Sequence, residues 1–271
     1  MCATPESAKS SQYSKEYIMK RPSNDVHWRV EPLELARRTA RISWFYYLSE
    51  DSGSQEIAYR AWLLRRGDEC ILVDTGPPLG EAMRRGLRDT VRVDVALQTL
   101  GVAVEQVTDV VLTHLHWDHA ASADLFEHAI FHVQSSEILF FRKEAHEHPV
   151  TGRFFSHREM LNALLDSGRV QAVDGDSKLR DGVRLMHVGG HTPGSQIVVV
   201  DRSDGCAVIA GDAIPLNRNY FDFIPNGILV NVVDAISAIK TVRALRPVEI
   251  YTGHDPIPSL ITPKTDIHNA A

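Results

Sequence analysis

The stretch Thr113-His114-Leu115-His116-Trp117-Asp118-His119 constrains this chain more than any other. It packs three imidazoles and a carboxylate into six positions directly after the apolar run Val110-Val111-Leu112. Neutral imidazole and carboxylate are the ligands that suit zinc and its first-row neighbours, so the density points to a metal site. The valine-rich segment from Val107 to Thr113 reads as a buried strand that stops where the histidines begin. Alternate side chains of an extended segment share a face, so His114 and His116 point together while Leu115 turns into the protein. Asp118 and His119 are expected in the turn that follows, with a helix over Ala120 to Phe126 whose N-terminal dipole end faces the site. Two ligand pairs diverging from one turn suit two ions held roughly 3.5–4 Å apart.

A two-metal site needs more donors than one turn supplies. Three later positions repeat the pattern of an apolar strand, a glycine and a ligand residue. They are His191 after Val183 to Gly190, Asp212 after Ala207 to Gly211, and His254 after Val248 to Gly253. Glycine there lets the backbone turn sharply and approach an ion closely. Taken singly, each would be read as an ordinary structural residue; in this order, and each behind a glycine, they read as ligands. Asp74, which closes the run Cys70-Ile71-Leu72-Val73, suits a group that orients a ligand histidine from behind. Six other histidines, His128, His132, His146, His148, His157 and His187, have no ligand-like context and are read as structural or surface residues.

The ordered set resembles the metallo-β-lactamase superfamily, with its His-x-His-x-Asp-His motif followed by a lone His, a lone Asp and a last His. The resemblance spans the chain from about Ala58 to Pro256. It implies an α/β fold, a four-layer αβ/βα sandwich with the metals at one edge of two facing sheets. It also implies two Zn2+ ions, with Mn2+, Fe2+ or Co2+ able to take the same places. His114, His116 and His191 would hold one ion, Asp118, His119 and His254 the other, and Asp212 would bridge them. The subgroup most resembled is the dinuclear N-acyl-homoserine-lactone lactonases and related small-lactone hydrolases, on the long segment between His116 and His191 and the short remainder after His254.

Departures from other branches narrow the activity. The secreted zinc β-lactamases carry cysteine where this chain has Asp212, flavodiiron proteins carry glutamate at the position of His116, and glyoxalase II enzymes append a helical domain. The expectation is a hydrolase that opens a small or acyl-homoserine lactone, with Asp118 relaying a proton to the leaving oxygen. A phosphotriesterase, an amidase, another ester hydrolase, a mononuclear iron dioxygenase acting on a persulfide and a non-catalytic sensor are the alternatives. One departure touches the lactonases themselves. Three residues after the bridging aspartate they have a tyrosine, whereas this chain has Pro215, which leaves Tyr220 either to take that catalytic role or to pack beside Phe221 and Phe223.

The formal net charge of −6 and a sequence pI near 6.1 exclude a nucleic-acid partner, since phosphate binding calls for a basic surface. The partner expected is a small-molecule substrate. No run approaches the ~20 apolar residues of a membrane span, so no membrane partner is expected. Three cysteines, Cys2, Cys70 and Cys206, make no disulfide framework and suit a reducing cytoplasm. Residues 1–24, rich in Ser and Lys, read as a flexible tail, and residues 25–271 as one hydrolase domain. Such a tail can order against a second subunit, which allows a homodimer. Ser156-His157-Arg158-Glu159 has a capping-box pattern before the stripe Met160, Leu161, Leu164 and Leu165, predicting a short helix. With Phe140, Phe141, Phe154 and Phe155, this insertion is expected either to wall a substrate pocket or to anchor itself to the core.

Overall fold

Residues 27–143 and 149–261 are described by the computed structural model. The expected tail 1–24, with His146 and His148, lies outside the described residues. The first sheet has six strands in the order β1 (Arg29–Arg41), β2 (Ser54–Arg66), β3 (Glu69–Val73), β4 (Asp109–Val111), β5 (Ile130–Gln134) and β6 (Val170–Val173). Its first three strands are antiparallel and the rest run parallel through helical crossovers. The second sheet also has six: β7 (Ser177–Arg180), β8 (Val183–His187), β9 (Gln196–Arg202), β10 (Gly205–Gly211), β11 (Glu249–Thr252) and β12 (Leu260–Ile261). Only the β10–β11 pair is parallel there. Helices α1 (Leu79–Arg84), α2 (Val93–Thr99), α3 (Trp117–Ala120), α4 (Ser135–Lys143), α5 (Pro149–Gly152) and α6 (Arg158–Asp166) interrupt the first half. In the second half, α7 (Asn217–Phe221) and α8 (Val232–Ala244) follow β10.

Period-2 alternation of apolar residues on both faces of the central strands dictates the layering. On β2, Trp62 and Leu64 face the other sheet and meet Val198, Val200 and Ile209. Alternating with them, Ala61 and Leu63 face outward and pack with Leu97 of α2, Phe141 of α4 and Leu161 of α6. On β9 the same division holds: Val198 and Val200 point to the inner layer, while Ile197 and Val199 pack on Ala238, Ile239 and Val242 of α8. Each such fully buried aliphatic contributes about 1.5–3 kcal/mol relative to exposure. The result is the four-layer αβ/βα sandwich that the sequence predicts.

Two local expectations are corrected. The helix after the histidine motif is a single turn, Trp117–Ala120, so Asp118 and His119 belong to the helix rather than preceding it; a 3₁₀ turn, Ala123–Leu125, replaces its continuation. Its dipole is correspondingly short and adds little to the site. In the insertion the expected helix forms, but its N-cap is His157 with no side-chain cap bond, and Ser156 Oγ pairs instead with His157 Nδ1 at 3.0 Å.

Candidate metal centre

Four loops at the strand ends on one edge of the sandwich converge. The loop after β4 delivers His114 and His116, and α3 delivers Asp118 and His119; the turn after β8 delivers His191; Asp212 directly follows β10, and His254 follows β11 after Gly253. All the histidines and Asp212 are buried, and Asp118 is partly exposed to the cavity. Donor atoms of His114, His116 and His191 lie within 4.8 Å of one another, as do those of Asp118, His119 and His254. Asp212 sits between the two triads. Its Oδ2 is 3.3 Å from His191 Nε2, and its Oδ1 is 3.1 Å from His254 Nε2 and 3.4 Å from His119 Nε2.

Groups behind the ligands fix which nitrogen faces inward. His119 Nδ1 donates to Asp74 Oδ2 at 2.7 Å, His191 Nδ1 to the Ile228 carbonyl at 2.6 Å, and His254 Nδ1 to the Ala58 carbonyl at 2.9 Å. With Nδ1 committed as donor, each Nε2 presents a lone pair to the centre. Asp74 also accepts from Thr113 N at 2.7 Å and Thr113 Oγ1 at 2.8 Å, so one carboxylate secures both the start of the motif and its last histidine. The glycines have specific reasons. Gly190 has φ 90° and lies so near α8 that a Cβ would come within 2.5 Å of Ala235 N. A Cβ on Gly253 would approach Asp212 Oδ1 to 2.4 Å.

The donor set is suited to cations. His119 Nε2 and Asp212 Oδ1 are buried and face each other at 3.4 Å with no other hydrogen-bond partner. An imidazole lone pair and a carboxylate oxygen at such range repel unless a positive charge, a proton or a metal ion, lies between them. Burial, reinforced by neighbouring imidazoles, holds His114 and His116 well below the ordinary histidine value, which keeps their lone pairs free. Burial opposes charge on Asp212, yet His254, His119 and His191 outweigh it and hold the carboxyl well below the usual carboxylate range. The carboxylates of Asp212, Asp74 and Asp118 outweigh burial at His119 and raise it well above its ordinary value, so a metal ion held there would take the place of a proton on Nε2.

A cavity of about 270 Å³ opens onto this cluster, walled by Trp44, Phe45, Tyr59, Trp117 and Phe154. Both readings of the insertion hold, for different residues. Phe140, Phe141 and Phe155 are buried in the core, whereas Phe154 stacks on His116 with centroids 4.8 Å apart and forms the cavity wall. Tyr220 does not reach the cavity. It is buried against Ile239 and Val242 of α8, with the Arg243 guanidinium 5.4 Å from its ring centroid. The phenol that lines the cavity is Tyr59 of β2, whose ring meets His254 edge-on at 5.1 Å.

Three further residues escape the sequence reading. Glu137 of α4 accepts from Leu115 N at 2.9 Å and Gly194 N at 3.1 Å, joining the two loops that carry His116 and His191. Asn226 donates to the Asp212 carbonyl at 2.9 Å and lines the cavity. Tyr59 is the third. None belongs to a local motif, and only their tertiary contacts reveal them. Among the other histidines, His132 pairs with Asp109 at 2.8 Å and His187 Nε2 donates to the Pro193 carbonyl at 2.7 Å, the structural roles expected.

Inward-facing lone pairs and carboxylates at the edge of a two-sheet α/β sandwich define a divalent-metal-dependent hydrolase. The chain belongs to the metallo-beta-lactamase superfamily, whose family model matches residues 58–254. It is 26% identical over 213 residues to an N-acyl homoserine lactonase from a Bacillus species, covering 72% of this chain and 80% of that protein. Its fold matches the crystal structure of a quorum-quenching N-acyl homoserine lactone lactonase with a TM-score of 0.71, at 22% identity over 84% of this chain and 92% of that one. It also matches a dizinc quorum-quenching lactonase in complex with its homoserine product, with a TM-score of 0.69 at 15% identity, over 89% and 95% of the two chains. No helix among the described residues is long and apolar enough to cross a membrane.

Proposed function

We propose that this hydrolase is a lactonase with two zinc ions, one held by His114, His116 and His191, the other by Asp118, His119 and His254, and both by Asp212. The observation that carries the reading is the pair of triads with Asp212 between them, opening on a small aromatic-walled cavity. Bound there, the ions would supply a hydroxide at neutral pH and polarise an ester carbonyl. The remaining work falls to the chain. Phe154, Trp117 and Trp44 exclude water and fix the plane of the ring. Tyr59, kept protonated by burial and then by the nearby Asp118 charge, donates toward the carbonyl oxygen, the role that Pro215 and Tyr220 leave open. Asp118, on the cavity wall with Oδ2 3.7 Å from His254 Nε2, takes a proton and passes it to the departing ring oxygen. The acyl C–O bond breaks, a new C–O bond forms to the oxygen of water, and a hydroxy acid leaves.

Each ring opening releases about one proton at neutral pH, so a pH-indicator assay reads it directly. Aliphatic and aromatic lactones are to be run with metal-replete enzyme beside a phosphotriester, a glutathione thioester, a cephalosporin and simple amides. Lactones are expected to turn over with kcat/KM of about 10⁴ M⁻¹s⁻¹ or more. Inert lactones with a triester or amide at that level would remove the lactonase reading and leave the metal hydrolase standing.

A further inference from the structure

Three arginines line the cavity of this acidic protein: Arg38 of β1, Arg85 after α1 and Arg153 after α5. Each lies over an aromatic ring of the same cavity. Arg38 is 5.1 Å from the Trp44 ring centroid, Arg85 is 4.3 Å from that of Trp117, and Arg153 is 4.9 Å from that of Phe154. Stacking occupies the flat face of a guanidinium and leaves its N–H edge free, the geometry that grips a carboxylate in two parallel hydrogen bonds. Arg85 already has a carboxylate partner in Glu81. Arg38 and Arg153 have none among the described residues. The contrast along β1 is direct: Arg37, on the opposite face, is bound by Glu34 and Glu56, while its neighbour Arg38 turns to the cavity, where it lies against the Trp44 face and the Tyr59 hydroxyl. Two cations without carboxylates, held against a small cavity in a chain of formal net charge −6, are an arrangement for an anion that arrives with the ligand.

We propose that the cavity selects lactones carrying a carboxylate substituent, which Arg38 and Arg153 hold while the ring ester lies at the metal centre. This rests on the lactonase reading and gives it a substrate class. A carboxylate on the substrate differs from the carboxylate that hydrolysis makes, because the latter forms from every lactone at the attacked carbon.

The test is a matched pair, 5-oxotetrahydrofuran-2-carboxylate and its primary carboxamide, assayed with metal-replete wild type, Arg38→Met, Arg153→Gln and a control, Arg142→Gln, whose ion pair with Asp166 lies outside the cavity lining. The expected acid-to-amide ratio of kcat/KM is at least ~10 in wild type and the control, falling toward 1 in Arg38→Met and Arg153→Gln, with Arg38→Lys retaining part of it. Arg153 is exposed, so its variant keeps the test decisive should Arg38→Met fail to fold. A ratio near 1 in wild type, or a ratio that survives both substitutions, overturns the proposal while leaving lactone hydrolysis intact. Equal losses on both substrates would assign the arginines to the product carboxylate, and would also overturn it. Calorimetry with 3-oxocyclopentane-1-carboxylate and its amide, which have no bond to hydrolyse, separates the two readings. If neither lactone turns over yet the ketone acid binds at least ~10-fold tighter than its amide in an Arg38-dependent way, the lactonase reading fails and anion selection stands. If the ketones also bind equally, both fail.

Discussion

Glu137 Oε1 accepts the amide of Leu115, the residue between His114 and His116, at 2.9 Å, while its Oε2 accepts Gly194 N at 3.1 Å. One fully buried carboxylate on α4 thereby sets the spacing of the loops that carry His114, His116 and His191, the three proposed ligands of one ion. Gly194 is part of the same device, since a Cβ there would sit 2.3 Å from Glu137 N and Cβ.

Glu137→Gln is therefore not conservative, because an amide NH₂ must face one of the two N–H groups. A loss of about 1–3 kcal/mol in stability is expected, the cost of an unsatisfied buried donor. Metal content per chain should fall with it. Chemical denaturation with elemental analysis checks both, and a variant with wild-type stability and metal content would refute the assignment of Glu137 as the brace.

Asp74 has φ 61°, a backbone conformation that Asn tolerates well, so Asp74→Asn tests the electrostatics of the group behind His119 with little backbone strain. The variant should fold, yet bind metal about 10–100-fold more weakly, the usual cost of losing such a partner. Competition with a chelator of known affinity measures the change.

The proposed ligand residues, which the fold brings together, were legible because metal chemistry demands a few residue types at short, fixed spacing. His114 to His119 span the loop after β4 and the first residues of α3, and His191, Asp212 and His254 each follow a strand and a glycine. The layers were legible for a similar reason, since the valine-rich strands show both of their buried faces in sequence. Glu137, Asn226, Tyr59 and Arg38 were not, because each reaches the site through packing that no local pattern encodes. Tyr220 shows the opposite failure. It is near Pro215 in sequence, but the turn into α7 rotates it toward α8 and away from the cavity.

Away from the site, Asp109 of β4 ties the two sheets together. It accepts from His132 at 2.8 Å, from Thr108 Oγ1 at 2.8 Å and from Arg180 of β7 at 2.5 Å. Burial would raise its pKa, but these partners outweigh burial and hold it below the ordinary 3.8. A lowered folded value means that the stabilisation is whole above the unfolded pKa and is lost as pH falls through the folded one. Asp109→Asn should thus be less stable than wild type by roughly 1–3 kcal/mol at pH 7, with the gap closing at pH values below that of a free aspartate. Urea denaturation at several pH values measures it, and a gap unchanged in strong acid would contradict the pairing.

Asp212 offers the sharpest separation of chemistry from folding. Its Oδ1 and Oδ2 face imidazoles of both triads, and Asp212→Asn keeps the side-chain volume while removing the negative charge between them. Only the carboxylate can offer a lone pair from each oxygen to a cation, since the amide nitrogen has none to give. The variant should keep the fold, because the backbone carbonyl of Asp212, not its side chain, accepts from Asn226. Lactone turnover should fall by at least ~10²-fold, the scale of losing a principal electrostatic contributor. Elemental analysis should show fewer than two ions per chain, while circular dichroism stays close to wild type. Near-wild-type turnover by a variant that still holds two ions would show that the two triads work without a shared carboxylate.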